Sequence, residues 1–83
     1  MQEIRQKASE QRVEINSRAL VRFQSGETMS YTIVQADRTD PGRGIISCDS
    51  PLGKALLGKK KGDRAIYAVG SNMLQVDVID VYS

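Results

Sequence analysis

The chain has no histidine, no tryptophan and a single cysteine, Cys48, among its 83 residues. Without histidine, the side chain that most often serves as general base and metal ligand is missing. One cysteine cannot form a disulfide within the chain, and a structural zinc site needs several ligands. The composition therefore argues against a metal centre and against acid–base catalysis by histidine, and we expect no cofactor.

Long apolar runs are also missing. No stretch approaches the roughly 18 residues that a membrane span needs, and residues 1–12 are polar and of mixed charge, unlike a secretory signal. We therefore expect a cytoplasmic protein with no membrane partner. Twelve basic and ten acidic residues give a net charge of +2. That charge is too small for a domain that binds nucleic acid through phosphate contacts, so no direct sequence-specific binding to nucleic acid is expected.

What is present fits one small globular domain. Apolar residues make up 40% of the chain and charged residues 27%, as in ordinary soluble proteins. Residues 1–12 contain good helix formers but few apolar side chains, so they predict a short or frayed helical segment ahead of a domain over residues 13–83. Cys48 lies in an apolar segment after Ile46, which predicts a buried, unreactive thiol. The sequence indicates no particular oligomeric state.

Alternation of apolar and polar residues marks the strands. It predicts strands over residues 18–23 and 28–35, joined as a hairpin by the turn at 24–27, and two more over 64–69 and 73–81. Turn-forming residues between 36 and 43 predict a surface loop. With a further strand near residue 46 and one short helix, the chain is predicted to be an α+β domain with a mainly antiparallel, five-stranded sheet.

Two pairs of carboxylates lie close together in the sequence and are candidates for catalysis. Asp37 and Asp40 flank turn-forming residues, where aspartate usually stabilises the turn. Asp77 and Asp80 lie three positions apart on a predicted strand, so their side chains are expected to face opposite sides of the sheet. Neither pair is predicted to be catalytic.

The most informative segment is residues 44–63, in which a strand leads into a short helix and then into a glycine-closed turn. Ser50 suits the N-cap position because its hydroxyl can accept a backbone N–H of the first turn. Pro51 suits the first helical position, where no N–H is needed. Gly58 provides the left-handed conformation that ends a helix. These signals predict a helix over residues 51–57.

This helix must pack against the sheet. Leu52, Ala55 and Leu56 recur at the spacing of one helical face, with Lys54 on the opposite side. A helix of about two turns is unstable alone in water, so its apolar face is expected to lie on the strands. Six residues are predicted to be largely buried: Tyr31, Ile33, Leu52, Leu56, Val76 and Val78.

Residues 46–63 closely resemble the C-terminal domain of the bacterial Gre transcript-cleavage factors. The resemblance rests on an Ile-Ser-x-Asp-Ser-Pro strand end at 46–51 and a Gly-Lys-Lys-x-Gly-Asp turn at 58–63. It extends more loosely over residues 13–82, through Gly-Glu-x-x-x-Tyr-x-Ile-Val at 26–34. The resemblance implies an FKBP-like fold, and it implies a non-catalytic protein-binding domain of a transcription elongation factor, which docks on bacterial RNA polymerase near the secondary channel.

Asp49, Ser50 and Pro51 form the corner that the resemblance implies as a docking point. The same residues also read as a helix start, with Ser50 as cap and Asp49 close to the positive end of the helix. Both interpretations hold together, because a rigid corner is well suited to present a carboxylate. The second candidate group is basic. It consists of four residues that either keep a turn soluble or meet an acidic partner: Lys54, Lys59, Lys60 and Lys61.

Two other functions stay open. An FKBP-like fold also suggests a peptidyl-prolyl isomerase or a peptide-binding chaperone domain, although one Phe and three Tyr leave few rings to line an aromatic pocket. A stand-alone interaction module with another partner is the remaining alternative. Gre factors carry a long acidic-tipped hairpin ahead of this domain. The roughly 18 Å that residues 1–12 would span as a helix indicates either an excised domain or a short relative, in which Glu3, Glu10 and Glu14 cannot replace that tip.

Overall fold

A computed structural model describes residues 11–82. Within them are five strands, β1 (Arg18–Phe23), β2 (Thr28–Val34), β3 (Ile45–Ser47), β4 (Arg64–Val69) and β5 (Asn72–Tyr82), and one α-helix, α1 (Pro51–Leu56). Two short 3-10 helices, Ala36–Arg38 and Pro41–Arg43, lie in the exposed segment between β2 and β3. The helical segment predicted over residues 1–12 lies outside the described residues except at its last two positions.

The strands form one sheet in the order β3-β2-β1-β5-β4. β2 and β3 run parallel, and all other neighbours are antiparallel. The predicted α+β fold is therefore confirmed, with strand and helix boundaries within one or two residues of the prediction. Local signals were sufficient for these elements because each is specified by its own periodicity and its own turn residues.

The inner face of the sheet packs on α1 and forms the core. Its buried members are Val13, Ala19, Val21, Ile33, Leu56, Ala65, Val76, Val78 and Val81. Four of the six predicted core residues are thus confirmed. Leu52 and Tyr31 are only half-buried, because a helix of six residues cannot cover the whole inner face. Cys48 is also half-buried rather than buried, since β3 ends at Ser47 and the thiol lies in the turn that follows.

A β-bulge in β5 changes which residues share a face. Leu20 pairs with Asp80 whereas its neighbour Val21 pairs with Val78, so β5 contains one extra residue between these pairs. Asp77, which lies opposite Arg22, is therefore on the same outer face as Asp80. The prediction that Asp77 and Asp80 face opposite sides is wrong. It assumed unbroken alternation, and the bulge breaks it.

The end of α1 is held by the segment that precedes β1. The Val13 N–H donates to the Lys59 carbonyl at 2.8 Å, and the Gly58 N–H donates to the Val13 carbonyl at 2.9 Å. The Arg12 guanidinium donates to the Gly58 carbonyl at 3.1 Å. We call residues 12–13 with 58–60 the clasp. It gives partners to backbone groups beyond the helix end, and it anchors Val13, which is 1% exposed, in the core.

Candidate docking surface

The corner before α1 is a closed set of hydrogen bonds. The Ser50 hydroxyl accepts from the Gly53 N–H at 3.0 Å and donates to the Ser47 carbonyl at 2.6 Å. The Ser47 hydroxyl accepts from the Asp49 N–H at 2.9 Å. Ser50 is therefore the N-cap that the sequence predicts, with Pro51 in the first turn. Because both serine hydroxyls are engaged with the backbone, residues 47–53 form a rigid turn.

The helix approaches the end of β3 closely because residue 53 is a glycine and has no side chain. A Cβ atom at this position would lie 2.0 Å from the Ser47 carbonyl oxygen, so no other residue fits without movement of the backbone. Gly53 is buried within the helix. Sequence analysis assigned it no role, although a glycine inside a predicted helix is a recognised sign of close packing.

Asp49 and Pro51 are exposed on this corner. Within residues 11–82, the Asp49 carboxylate takes part in no hydrogen bond or ion pair, since the bond from this residue comes from its backbone N–H. The carboxylate therefore faces solvent from a fixed backbone position. Such a group is available to a partner.

The remaining predicted residues continue from this corner along the solvent side of α1. Lys54 is exposed one turn after Pro51, and Lys61 is exposed beyond the helix end, whereas Lys59 and Lys60 are half-buried. The seven candidates thus lie along one end of the strands, with the acidic corner beside β3 at one edge of the sheet and the lysines beside the start of β4 at the other edge. This distribution also suits the helix dipole, which favours acidic groups at the N-terminus and basic groups at the C-terminus.

The lysine turn has its own internal support. The Lys60 N–H donates to the Asp63 carboxylate at 3.0 Å, and the Asp63 N–H donates to the Lys60 carbonyl at 2.9 Å. Arg12 lies directly opposite Lys60 in an antiparallel bridge. Arg12 therefore adds a fifth cation to this surface. Sequence analysis missed it because the pairing joins positions far apart in the chain. We call Asp49, Ser50, Pro51, Lys54, Lys59, Lys60, Lys61 and Arg12 the α1 surface.

A separate cavity of about 410 Å³ opens at the opposite end of the inner face, where α1 does not reach. It is lined by the side chains of Phe23, Tyr67 and Leu74, with Gln24, Ser25, Glu27 and Gln75 around them. The Phe23 ring packs edge-on against Tyr31, with 6.4 Å between centroids. Burial, with a smaller effect from the neighbouring Tyr67, raises the pKa of the Tyr31 phenol, so this phenol is neutral at physiological pH.

The described part of the chain contains neither a metal-binding cluster nor a membrane-spanning helix. Within residues 11–82, no three His, Cys, Asp or Glu side chains come close enough together to hold a metal ion. None of the helices in this part of the chain has the length and apolar character needed to cross a membrane.

Comparison with known proteins settles the family. The family model for "Transcription elongation factor, GreA/GreB, C-term" matches residues 8–83. The chain belongs to this family. Transcription elongation factor GreA of Christiangramia forsetii is 39% identical over 72 residues, which cover 86% of this chain and 46% of that protein. GreA of Helicobacter acinonychis is 35% identical over 63 residues, which cover 76% of this chain and 38% of that protein.

Solved structures of Gre-type factors show the same fold. Gfh1 of Thermus thermophilus, described as a GreA factor homolog, superposes with a TM-score of 0.76 at 25% identity over 93% of this chain and 52% of that chain. A GreA/GreB elongation factor from Nitrosomonas europaea gives 0.70 at 32% identity over 86% of this chain and 60% of that chain. The fold is therefore that of a Gre-factor C-terminal domain. The chain spans less than half the length of the two GreA relatives.

Proposed function

We propose that this domain docks on bacterial RNA polymerase near the secondary channel, as a cytoplasmic, non-catalytic protein-binding module, and that the α1 surface makes the contact. The observation that carries the proposal is the Asp49 carboxylate, which is exposed on a turn held by two serine hydroxyls and has no partner within the described residues. Membership of the GreA/GreB family supports RNA polymerase as the partner.

Rigidity of the corner favours binding. A segment whose backbone is already fixed in its bound conformation loses less conformational entropy when a partner engages it. The backbone on both sides of Asp49 is fixed, because Ser47 accepts from the Asp49 N–H and Ser50 bonds both Ser47 and Gly53. We infer that Asp49 accepts hydrogen bonds from basic or amide groups of the polymerase, with the ring of Pro51 packing beside it.

The lysines have a different role in this proposal. Lys54 and Lys61 are exposed, so their charges are screened by salt and contribute little to the final contact energy. Charges of this kind mainly accelerate encounter with a surface of opposite sign. Arg12 and Lys60 lie opposite each other in a β-bridge, an arrangement of like charges that costs stability and that an acidic partner would relieve.

Binding to purified core RNA polymerase tests the corner. Asp49→Ala is expected to weaken binding about tenfold, as for loss of a hydrogen bond to a charged group, and to leave thermal stability within a few degrees. Ser50→Ala is expected to lower stability by about 0.5–2 kcal/mol through loss of the cap. Asp37→Ala, an exposed carboxylate in the loop after β2, is the matched control and should bind like wild type.

Equal binding by wild type and Asp49→Ala would remove Asp49 from the contact. No binding by the wild-type chain would favour a stand-alone module with another partner.

The lysines are tested by association kinetics. Replacing Lys59, Lys60 and Lys61 together by Gln should slow association at low ionic strength and have less effect at high salt. An unchanged association rate would leave these residues as a solvated turn.

A further inference from the structure

β4 is an edge strand that lacks the usual protection against pairing. It lies at the end of the sheet order, so only β5 pairs with it among the described residues. Natural edges are usually protected by charged residues, proline or bulges. After Arg64, β4 reads Ala-Ile-Tyr-Ala-Val, with no charge and no proline over five residues. Ile66 and Val69 are 57% and 49% exposed. Among residues 11–82 the edge is therefore apolar and open.

The backbone groups on this edge can be assigned from the register. The Val78 N–H donates to the carbonyl of Asp63, directly before β4, at 2.8 Å. In an antiparallel pair, successive residues alternate between bonding the neighbouring strand and pointing away from it. Counting from position 63, the N–H and C=O groups of Arg64, Ile66 and Ala68 point away from β5. Within residues 11–82, no hydrogen bond from outside the strand pair reaches these six groups.

We infer that the β4 edge pairs with the β4 edge of a second copy of this chain, antiparallel and centred on Ile66. A two-fold axis through Ile66 places Ile66 opposite itself and Arg64 opposite Ala68 of the second copy. These are the residues whose backbone groups point outward, so the register forms hydrogen bonds at all three positions of each strand. The two sheets then continue as one sheet of ten strands, twice the five of one copy.

The side chains also match in this register. On the outer face, Ile66 of one copy packs on Ile66 of the other, which buries the most exposed apolar side chain of β4. Arg64 is neutralised within its own chain by Asp77, at 3.1 Å between Nε and Oδ1. The aliphatic part of the Arg64 side chain then lies beside Ala68 of the second copy. Within each copy, Ala68 pairs with Met73 of β5. No like charges face each other. A register shifted by two residues keeps the faces aligned and pairs Ile66 with Ala68, but it places Arg64 opposite Gly70, beyond the end of β4, and so forms fewer hydrogen bonds.

The size of this contact indicates a reversible dimer. Six residues of strand extend about 20 Å. Pairing along one edge of that length belongs to the small, transient class of interfaces, below about 1,200 Å² of buried surface. The edge begins next to the lysines of the α1 surface, but the inference is argued from the backbone and side chains of β4 alone and does not depend on the proposed binding to polymerase.

Sedimentation velocity from micromolar to millimolar protein tests the inference. The wild-type chain is expected to shift from monomer to dimer, and Ile66→Lys to stay monomeric because two lysines would meet at the axis. Met29→Lys is the matched control, since Met29 is a strand residue that is 44% exposed and lies on β2, away from this edge. It should dimerise like wild type. A wild-type chain that is monomeric at every concentration overturns the inference. That result would indicate that the edge pairs with a strand of another protein.

Cross-linking tests the register. In a Cys48→Ser background, Ile66→Cys places two thiols across a pair of residues about 5.5 Å apart between Cα atoms, which suits a disulfide. Mild oxidation should therefore yield a covalent dimer from Ile66→Cys and none from Met29→Cys. Equal cross-linking of both variants would show random collision and would overturn the proposed register. Circular dichroism of each variant confirms that the fold is retained.

Discussion

At the scale of single residues, one carbonyl oxygen organises the corner that presents Asp49. The Ser47 carbonyl accepts the Ser50 hydroxyl at 2.6 Å and the Ser50 N–H at 3.0 Å. The same oxygen lies where a Cβ of residue 53 would be. The N-cap, the end of β3 and the first turn of α1 therefore depend on a single backbone position, and the absence of a side chain at Gly53 is a structural requirement.

Gly53→Ala tests this requirement. In an open helix this change is stabilising by up to about 1 kcal/mol, because glycine has a low helix propensity. Here the added methyl would meet a backbone oxygen at 2.0 Å, so the helix start must move, and we expect a net loss of about 1–3 kcal/mol in the free energy of unfolding. Urea unfolding measures this loss in the free energy of unfolding. Gly42→Ala is the control, because its nearest atom is 3.9 Å away. A stabilised Gly53→Ala variant would contradict the packing described here.

At the scale of elements, α1 is held by its two ends and by one buried side chain. The Ser50 cap fixes the start, the clasp fixes the end, and Leu56, which is 0% exposed, fills the space against the sheet. Six residues are too few for a helix that is stable by itself. The helix therefore exists because of these tertiary contacts, and the orientation of the α1 surface depends on them.

Leu56→Ala is expected to reduce the free energy of unfolding by about 2–5 kcal/mol, since it leaves a cavity beneath a helix that cannot shift at either end. In a domain of this size such a loss is a large share of the total stability. Thermal and urea unfolding measure it. Lys54→Ala, on the exposed side of the same helix, should change stability by no more than about 0.5 kcal/mol. If Leu56→Ala were as stable as wild type, the helix would not pack on the sheet through this side chain.

These elements also show what a sequence can predict. The strands and α1 were predicted because alternation, a Ser-Pro start and a glycine stop are local signals. The β5 bulge, the clasp and the half-burial of Tyr31 depend on partners distant in the chain, and local patterns carry no information about them. The same limit applies to the candidate site. The seven predicted residues come from two local motifs at residues 49–54 and 59–61, whereas Arg12 joins them only through its bridge to Lys60.

At the scale of the whole molecule, the proposal that this domain docks on polymerase without acting predicts that it interferes with factors that dock and act. If the α1 surface binds polymerase, an excess of this chain should reduce the RNA cleavage that a full-length Gre factor stimulates, because both would compete for one site. Asp49→Ala should be a weaker competitor. On the same proposal, the chain alone is expected to stimulate no cleavage of RNA in a backtracked complex.

Cleavage assays with and without the full-length factor measure both effects. Stimulation of cleavage by the isolated chain would contradict its assignment as a non-catalytic module. Failure to compete at saturating concentration would indicate that it and the factor do not share a docking site.

The order of strands also has a consequence for how the chain folds during synthesis. β1 lies between β2 and β5, and its pairing with β5 joins residues 18–23 to residues 76–82. β2 can pair with β1 as soon as the hairpin has left the ribosome, but the other side of β1 stays unpaired until residues 76–82 have been made and released. Contacts between positions this far apart form slowly. Until then the nascent chain exposes an apolar half-sheet, and this is the interval in which we expect it to depend most on chaperones.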